Sequence, residues 1–126
     1  MEAAVTARVL AALGHEGRLL IFRLLVRAGP QGLPAGEIAR QTGQLQNTAS
    51  SNLSVLLNVG LAATRREGRS IIYAVTPTRF SEALEFLTDD FFEDQSSVRA
   101  AFFQQLLEVG DGPYAERRTD RDDDAA

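Results

Sequence analysis

Hydrophobic residues recur at helical spacing near the start of the chain, which predicts two helices there. The first helix is predicted over residues 3–13, and its apolar stripe comprises Val5, Val9, Ala12 and Leu13. A second helix, over residues 16–28, is much richer in leucine and phenylalanine and ends at Gly29-Pro30. So apolar a helix is expected to form the centre of the core.

The same helical period returns in the last third of the chain. Thr76-Pro77 is typical of a helix start, with threonine as cap and proline at the first helical position. The apolar positions that follow are Phe80, Ala83, Leu84, Leu87 and Phe91. Beyond Glu93-Asp94 a further helix is predicted from Val98, Ala101, Phe102, Gln105, Leu106 and Val109. These two helices have more apolar surface than a small domain can cover, which favours a twofold dimer.

The middle of the chain predicts two short helices followed by a hairpin. A helix over residues 36–43 ends at Gly43, and a second one over residues 47–61 is expected to be capped by Asn47. Residues 62–75 then read as two strands around a turn at Glu67-Gly68, with three arginines at the tip.

The predicted helix over residues 47–61 has one apolar and one polar face. Ala49, Leu53, Leu56 and Gly60 fall on one stripe, and the opposite face holds Asn47, Ser51, Ser54, Val55 and Asn58. The polar face is uncharged and rich in hydrogen-bonding groups, which suits a helix that meets base edges in a major groove. Ordinary solvation of the face is the alternative.

These central segments resemble the ArsR/SmtB family of bacterial repressors. The residues that carry the resemblance are Leu13-Gly14-His15-Glu16-Gly17-Arg18-Leu19, Leu33-Pro34-Ala35-Gly36-Glu37-Ile38-Ala39, Asn47 to Leu56, Gly60-Leu61 and Arg65 to Tyr73. The resemblance implies a mainly α fold with a small β-hairpin wing, a winged helix-turn-helix of about five or six helices, assembled as a homodimer. It also implies a DNA-binding transcriptional repressor that occupies an inverted-repeat operator and is released by an effector.

Composition adds limits to this interpretation. A chain of 126 residues is expected to form one domain, over residues 1–109, followed by a disordered charged tail over residues 110–126. No membrane span or signal peptide is recognisable, so a cytoplasmic location is expected. The net charge of -4 is divided unevenly, because residues 1–79 hold nine arginines against four acidic residues and residues 80–126 hold four against thirteen. The basic first part is therefore compatible with a double-stranded DNA partner.

The candidate DNA-binding residues lie on the second central helix, on the hairpin and at the end of the preceding helix. They are Asn47, Thr48, Ser51, Asn52, Val55, Arg65, Arg66, Arg69 and, more weakly, Arg40. Asn52 is a candidate for the two-point hydrogen bond to adenine, although it lies toward the flank of the polar face. The candidate dimer-interface residues are Val5, Val9, Leu84, Leu87, Phe91, Phe92, Phe102 and Leu106.

No cofactor, metal site or catalytic residue is predicted. The chain has no cysteine and one histidine, His15, which is interpreted as a helix-start residue. Arsenic-responsive relatives often carry a cysteine pair where this chain has Phe91 and Phe92, so arsenite binding at that position is excluded. The phenylalanines favour core packing, with an apolar pocket or an altered sensor as alternatives. Among the nearby carboxylates, a solvated helix end is favoured over a cation site.

Two functions remain open from the sequence. The first is a dimeric DNA-binding repressor whose effector is unknown. The second is a winged-helix module that binds proteins through its apolar C-terminal helices and has lost DNA binding, since the second central helix has no basic residue. An enzyme is not expected, because nothing in the chain assembles a nucleophile and a base.

Overall fold

The computed structural model describes residues 1–92, 97–98, 100–101 and 104–105. The chain divides into two compact units, residues 1–86 and 87–126. The helix over residues 77–92 begins in the first unit and runs past its end. The limit of the domain predicted at residue 109 lies outside the described residues and stays a prediction.

The described residues confirm a mainly α fold with a small wing. In chain order the elements are α1 (Ala3–Leu13), α2 (Glu16–Ala28), a 3-10 turn (Gly29–Gln31), β1 (Leu33–Pro34), α3 (Ala35–Thr42), α4 (Gln46–Asn58), β2 (Ala62–Glu67), β3 (Ser70–Val75) and α5 (Pro77–Phe92). Of the further helix predicted beyond Glu93-Asp94, residues 97–98, 100–101 and 104–105 are helical and the others lie outside the described residues. No helix in the described part of the chain combines the length and apolar character needed to cross a membrane.

His15 and Arg18 join α1 to α2. The Nδ1 atom of His15 accepts a hydrogen bond from the backbone N–H of Arg18 at 3.4 Å, so His15 caps α2. The Nε atom of Arg18 donates to the carbonyl of Ala12 at 2.6 Å and thereby satisfies a free carbonyl at the end of α1. The interpretation of His15 as a helix-start residue is therefore confirmed.

The hydrophobic core is built around α2. Ile21 and Leu25 are fully buried, and the ring of Phe22 packs against the ring of Phe80 on α5 with centroids 5.2 Å apart. The other elements contribute Val9, Ile38, Leu53, Leu56, Leu61 and Ala83. Val9 is completely buried within its own chain, so its assignment to a dimer interface is wrong: the stripe of α1 packs on its own core instead.

The sheet has three strands in the order β1-β3-β2, all antiparallel. The sequence interpretation missed β1, which has two residues and pairs Leu33 with Tyr73. The chain reaches this pairing through Gly32, whose φ is 63°. A Cβ atom at Gly32 would lie 2.3 Å from the carbonyl oxygen of Tyr73, so only glycine lets the two strands meet at this point.

The tip of the wing lies one residue later than predicted. Glu67 pairs with Ser70 at the ends of β2 and β3, which leaves a two-residue loop of Gly68 and Arg69. Gly68 has a φ of 60° and Arg69 has a negative φ, as in the type II′ turns that suit hairpins. Arg69 therefore lies at the tip, whereas Arg65 and Arg66 belong to β2.

Candidate nucleic-acid interface

A helix-turn-helix is formed by α3 and α4. Gly43 ends α3 in the left-handed conformation, with φ 69° and ψ 21°. Its backbone N–H donates to the carbonyls of Ala39 and Arg40, in the last turn of the helix. The helix α4 begins at Gln46, with Leu45 as its N-cap and no side-chain cap bond. Asn47 is therefore not the cap that the sequence predicted; it lies inside the first turn, where its Oδ1 accepts the N–H of Thr48 at 3.1 Å.

The polar side of α4 is exposed. Asn47, Thr48 and Ser51 are all exposed, Val55 is half-buried, and the opposite stripe of Ala49, Leu53 and Leu56 is buried. The helix contains no charged residue. The exposed side therefore offers amide and hydroxyl groups that can meet base edges without a guanidinium group.

Asn52 does not belong to the exposed surface, which corrects its assignment to base contact. It is 6% exposed, and its Nδ2 donates to the Oε1 of Gln44 at 3.0 Å. The Nε2 of Gln44 in turn donates to the carbonyl of Gly17 at 2.9 Å. The flank of α4 faces α2, so this amide is used inside the protein.

Gln44 was missed by the sequence interpretation, although its side chain bridges α2 and α4 from the turn between α3 and α4. Gly17 makes this close arrangement possible, since a Cβ there would lie 2.9 Å from the Nδ2 of Asn52. A single polar residue in a three-residue connection has no periodic pattern, so its partners could not be read from the sequence.

The three wing arginines fall into two groups. Arg65 is tied to the protein, because its Nη1 and Nη2 donate to the carbonyls of Pro30 and Gln31 at 2.9 and 2.6 Å. It also pairs with Glu67 at 3.0 Å. Arg66 and Arg69 are exposed and make no hydrogen bond or ion pair within the described residues. These two guanidinium groups are therefore the wing cations available to an outside partner.

Arg40 at the end of α3 is exposed but paired. Its Nε donates to the carboxylate of Glu37 at 2.9 Å, and a second bond from Nη2 makes the pair bidentate. The hydrogen bonds from Arg40, together with one from Gln41, hold the pKa of the Glu37 carboxyl at about 2. A phosphate that binds Arg40 must therefore compete with a carboxylate.

The remaining predicted interface residues lie on α1 and toward the C-terminus. Val5 and Leu84 are half-buried, and Leu87 is 40% exposed, as is its neighbour Phe86. Phe102 and Leu106 lie outside the described residues, as do the side chains of Phe91 and Phe92.

Potential metal ligands do not gather in the part of the chain that the structure describes, where no three histidine or acidic side chains lie close enough to hold an ion. Glu93 and Asp94, two of the carboxylates considered from the sequence, lie outside that part.

Comparisons with known proteins agree with this geometry. Residues 4–65 match the family model described as a helix-turn-helix domain. The chain is 40% identical over 83 residues to the HTH-type transcriptional regulator NmtR of Mycobacterium tuberculosis, covering 66% of this chain and 67% of the relative. It is 30% identical over 97 residues to the nodulation protein NolR of Rhizobium meliloti, covering 77% of each.

A solved structure from Mycobacterium bovis is similar as well. It is the homodimeric winged helix-turn-helix DNA-binding domain of a possible ArsR-family transcriptional regulator. The TM-score is 0.54 at 31% sequence identity, and the match covers 72% of this chain and 82% of that one.

Proposed function

Since the chain belongs to the ArsR family of winged helix-turn-helix transcriptional regulators, we propose that it is a homodimeric repressor that binds an inverted-repeat operator. It acts by binding DNA and catalyses no reaction. It works in the cytoplasm, where it has access to chromosomal DNA.

The observation that carries the proposal is the exposed, uncharged side of α4 beside a wing with two unengaged arginines. Asn47, Thr48 and Ser51 enter the major groove, where amide and hydroxyl groups bond to base edges. Arg66 and Arg69 contact the flanking phosphates. Val55 borders the surface, and Arg65 orients the wing through the carbonyls of residues 30 and 31.

A twofold dimer doubles this surface. Phe86 and Leu87 on α5 are each 40% exposed, and packing against a second subunit would bury this apolar surface. The homodimeric domain from M. bovis supports the same assembly. A twofold dimer presents two copies of α4 that are related by the twofold axis. The operator that binds both copies therefore contains two half-sites in inverted orientation.

Release from DNA requires an effector that binds the two arrangements of the dimer with different affinities. The chain has no cysteine, so the effector is not captured by thiolates.

The test is a DNA-binding titration of the purified full chain with a duplex from its own promoter region, across a series of salt concentrations. Binding should weaken with salt, and the double variant Arg66→Ala/Arg69→Ala should bind less tightly. The slope of log affinity against log salt should fall by about 3.6, because the dimer loses four arginine–phosphate contacts and each neutralised phosphate contributes about 0.9.

Arg23→Ala is the matched control, because Arg23 is an exposed arginine of α2, outside the α4 and wing surface. It should leave the salt slope unchanged. Failure of the wild-type chain to bind either this duplex or random duplexes in dilute buffer would overturn the proposal. So would a double variant whose slope equals that of the wild type.

A further inference from the structure

Leu45 is a large hydrophobic residue that the fold leaves in water. It is 73% exposed, whereas the other exposed large hydrophobic residues of the described chain are between 40% and 52% exposed. Within residues 35–60, which form the helix-turn-helix, no other large hydrophobic side chain is exposed. It immediately precedes α4, two residues before the exposed Asn47 in the chain.

Local helix preferences also argue against leucine at this position. Leu45 is the N-cap of α4, a position that favours serine, threonine, aspartate or asparagine because their side chains accept a backbone N–H. Leucine has no acceptor, and α4 has no side-chain cap bond. A residue that departs from the capping preference, with no visible gain in stability, is expected at a functional site.

The backbone around Leu45 is firmly held. Its carbonyl accepts the N–H of Ala49 at 2.9 Å, which begins the α4 hydrogen-bond pattern. The preceding residue, Gln44, is fixed through its side chain to both Gly17 and Asn52. The position of Leu45 is therefore set by the fold before any partner arrives, which lowers the entropy cost of binding.

The apolar group that a base pair exposes in the major groove is the 5-methyl group of thymine, and apolar side chains recognise it by van der Waals contact. The first residues of a recognition helix are those that reach base edges. We propose that Leu45 contacts a thymine methyl group in the major groove and so selects thymine at that position. This inference rests on the proposed DNA-binding function.

The experiment begins with duplexes selected by the wild-type full chain from a random library. In a selected duplex, each thymine is replaced in turn by uracil, which removes the methyl group and leaves the hydrogen-bonding edge unchanged. At one position in each half-site the replacement should weaken wild-type binding by about fourfold, the value of one buried methyl-sized group.

The loss of affinity on replacing thymine with uracil is called the uracil penalty below. Three variants test whether it depends on Leu45. Leu45→Ser should lose the penalty, and its melting temperature should equal or exceed that of the wild type, because serine caps the helix. Leu45→Met keeps an apolar side chain and should retain the penalty. Val26→Ala truncates another exposed apolar side chain, on α2, and should leave the penalty unchanged.

The outcomes separate this inference from the proposed function. Selection of no duplex above background would overturn both. Duplex binding with no uracil penalty at any thymine would overturn the role of Leu45 alone, and so would a penalty that persists in Leu45→Ser. A Leu45→Ser protein that melts below the wild type would assign Leu45 a structural role and overturn the inference as well.

Discussion

Asn47 and Asn52 are the same residue type on the same helix, and the fold uses them in opposite ways. Asn47 is exposed, whereas Asn52 is buried against α2 and bonded to Gln44. The polar pattern of α4 could be predicted from the sequence, but the residue that α2 covers could not, because a helical wheel does not show where neighbouring helices lie. The same limit applies to Arg65, whose carbonyl partners are more than thirty residues away in the chain.

This contrast predicts different losses of stability for the two asparagines. Asn52→Ala should lower the free energy of unfolding by about 1–2 kcal/mol, because the half-buried side chain of Gln44 loses its hydrogen-bond donor. Asn47→Ala should change it by less than about 0.5 kcal/mol, as is usual for exposed positions. Urea denaturation of both variants measures the difference, and equal losses would contradict the assignment of Asn52 to the interior.

A second residue-scale prediction concerns the acid titration of Glu37. Because the folded-state pKa is lowered to about 2, the Glu37–Arg40 pair persists above the ordinary carboxyl pKa and is lost only as the pH falls toward 2. The side-chain NMR shift of Glu37 should therefore stay that of a carboxylate at about pH 3.5, between these two pKa values. In Arg40→Ala the midpoint should move toward 4.5, whereas Arg23→Ala should leave it in place. An unchanged midpoint in Arg40→Ala would refute the attribution of the low pKa to Arg40.

At the scale of elements, periodicity and end signals were sufficient for the long helices. The predicted bounds of α1 and α2 match the structure, and α5 begins at Pro77 as predicted. The strand β1 could not be predicted, since two residues show no alternation and the pairing depends on a distant strand. The N-cap of α4 lies two residues earlier than predicted, and the wing turn lies one residue later, because the ends of helices and strands depend on tertiary contacts as well as on capping residues.

Gly29, the first residue of the 3-10 turn, and Gly32, the residue after it, give a matched test of the β1–β3 pairing. Gly29 and Gly32 both have positive φ, at 71° and 63°, but a Cβ at Gly29 would meet nothing within 4 Å. Gly29→Ala should therefore cost only the strain of a backbone conformation that glycine alone adopts readily (φ 71°, ψ -158°), about 1–3 kcal/mol. Gly32→Ala should cost more, because its Cβ would collide with the carbonyl of Tyr73. Thermal denaturation gives the ranking, and a Gly29→Ala loss as large as that of Gly32→Ala would contradict it.

At the scale of the whole molecule, the sequence predicted the family and the division of charge. It did not predict which apolar faces are covered within one chain. Val9 and Leu87 both follow a helical apolar stripe, yet Val9 is fully buried in its own core and Leu87 is 40% exposed. Periodicity identifies an apolar face without showing whether the same chain or a second one covers it. The predicted division into residues 1–109 and a charged tail stays a prediction.

The proposed dimer makes a prediction at this scale. Leu87→Glu should place a charge in the subunit interface and yield a monomer in sedimentation equilibrium, with much weaker operator binding. Val26→Glu is the control, because Val26 is 52% exposed on α2 and is not assigned to the interface. A Leu87→Glu protein that remains a dimer would show that α5 does not form the interface at this point.

The link from Gly17 through Gln44 to Asn52 consists of amide groups alone, without an ionisable member. Neither acidity nor ionic strength acts on such bonds directly, so this link between α2 and α4 should hold over a wide range of ion content. Changes in DNA binding with potassium concentration or pH should then arise at the surface that contacts DNA. The hydrogen bonds that join α2 to α4 should stay intact.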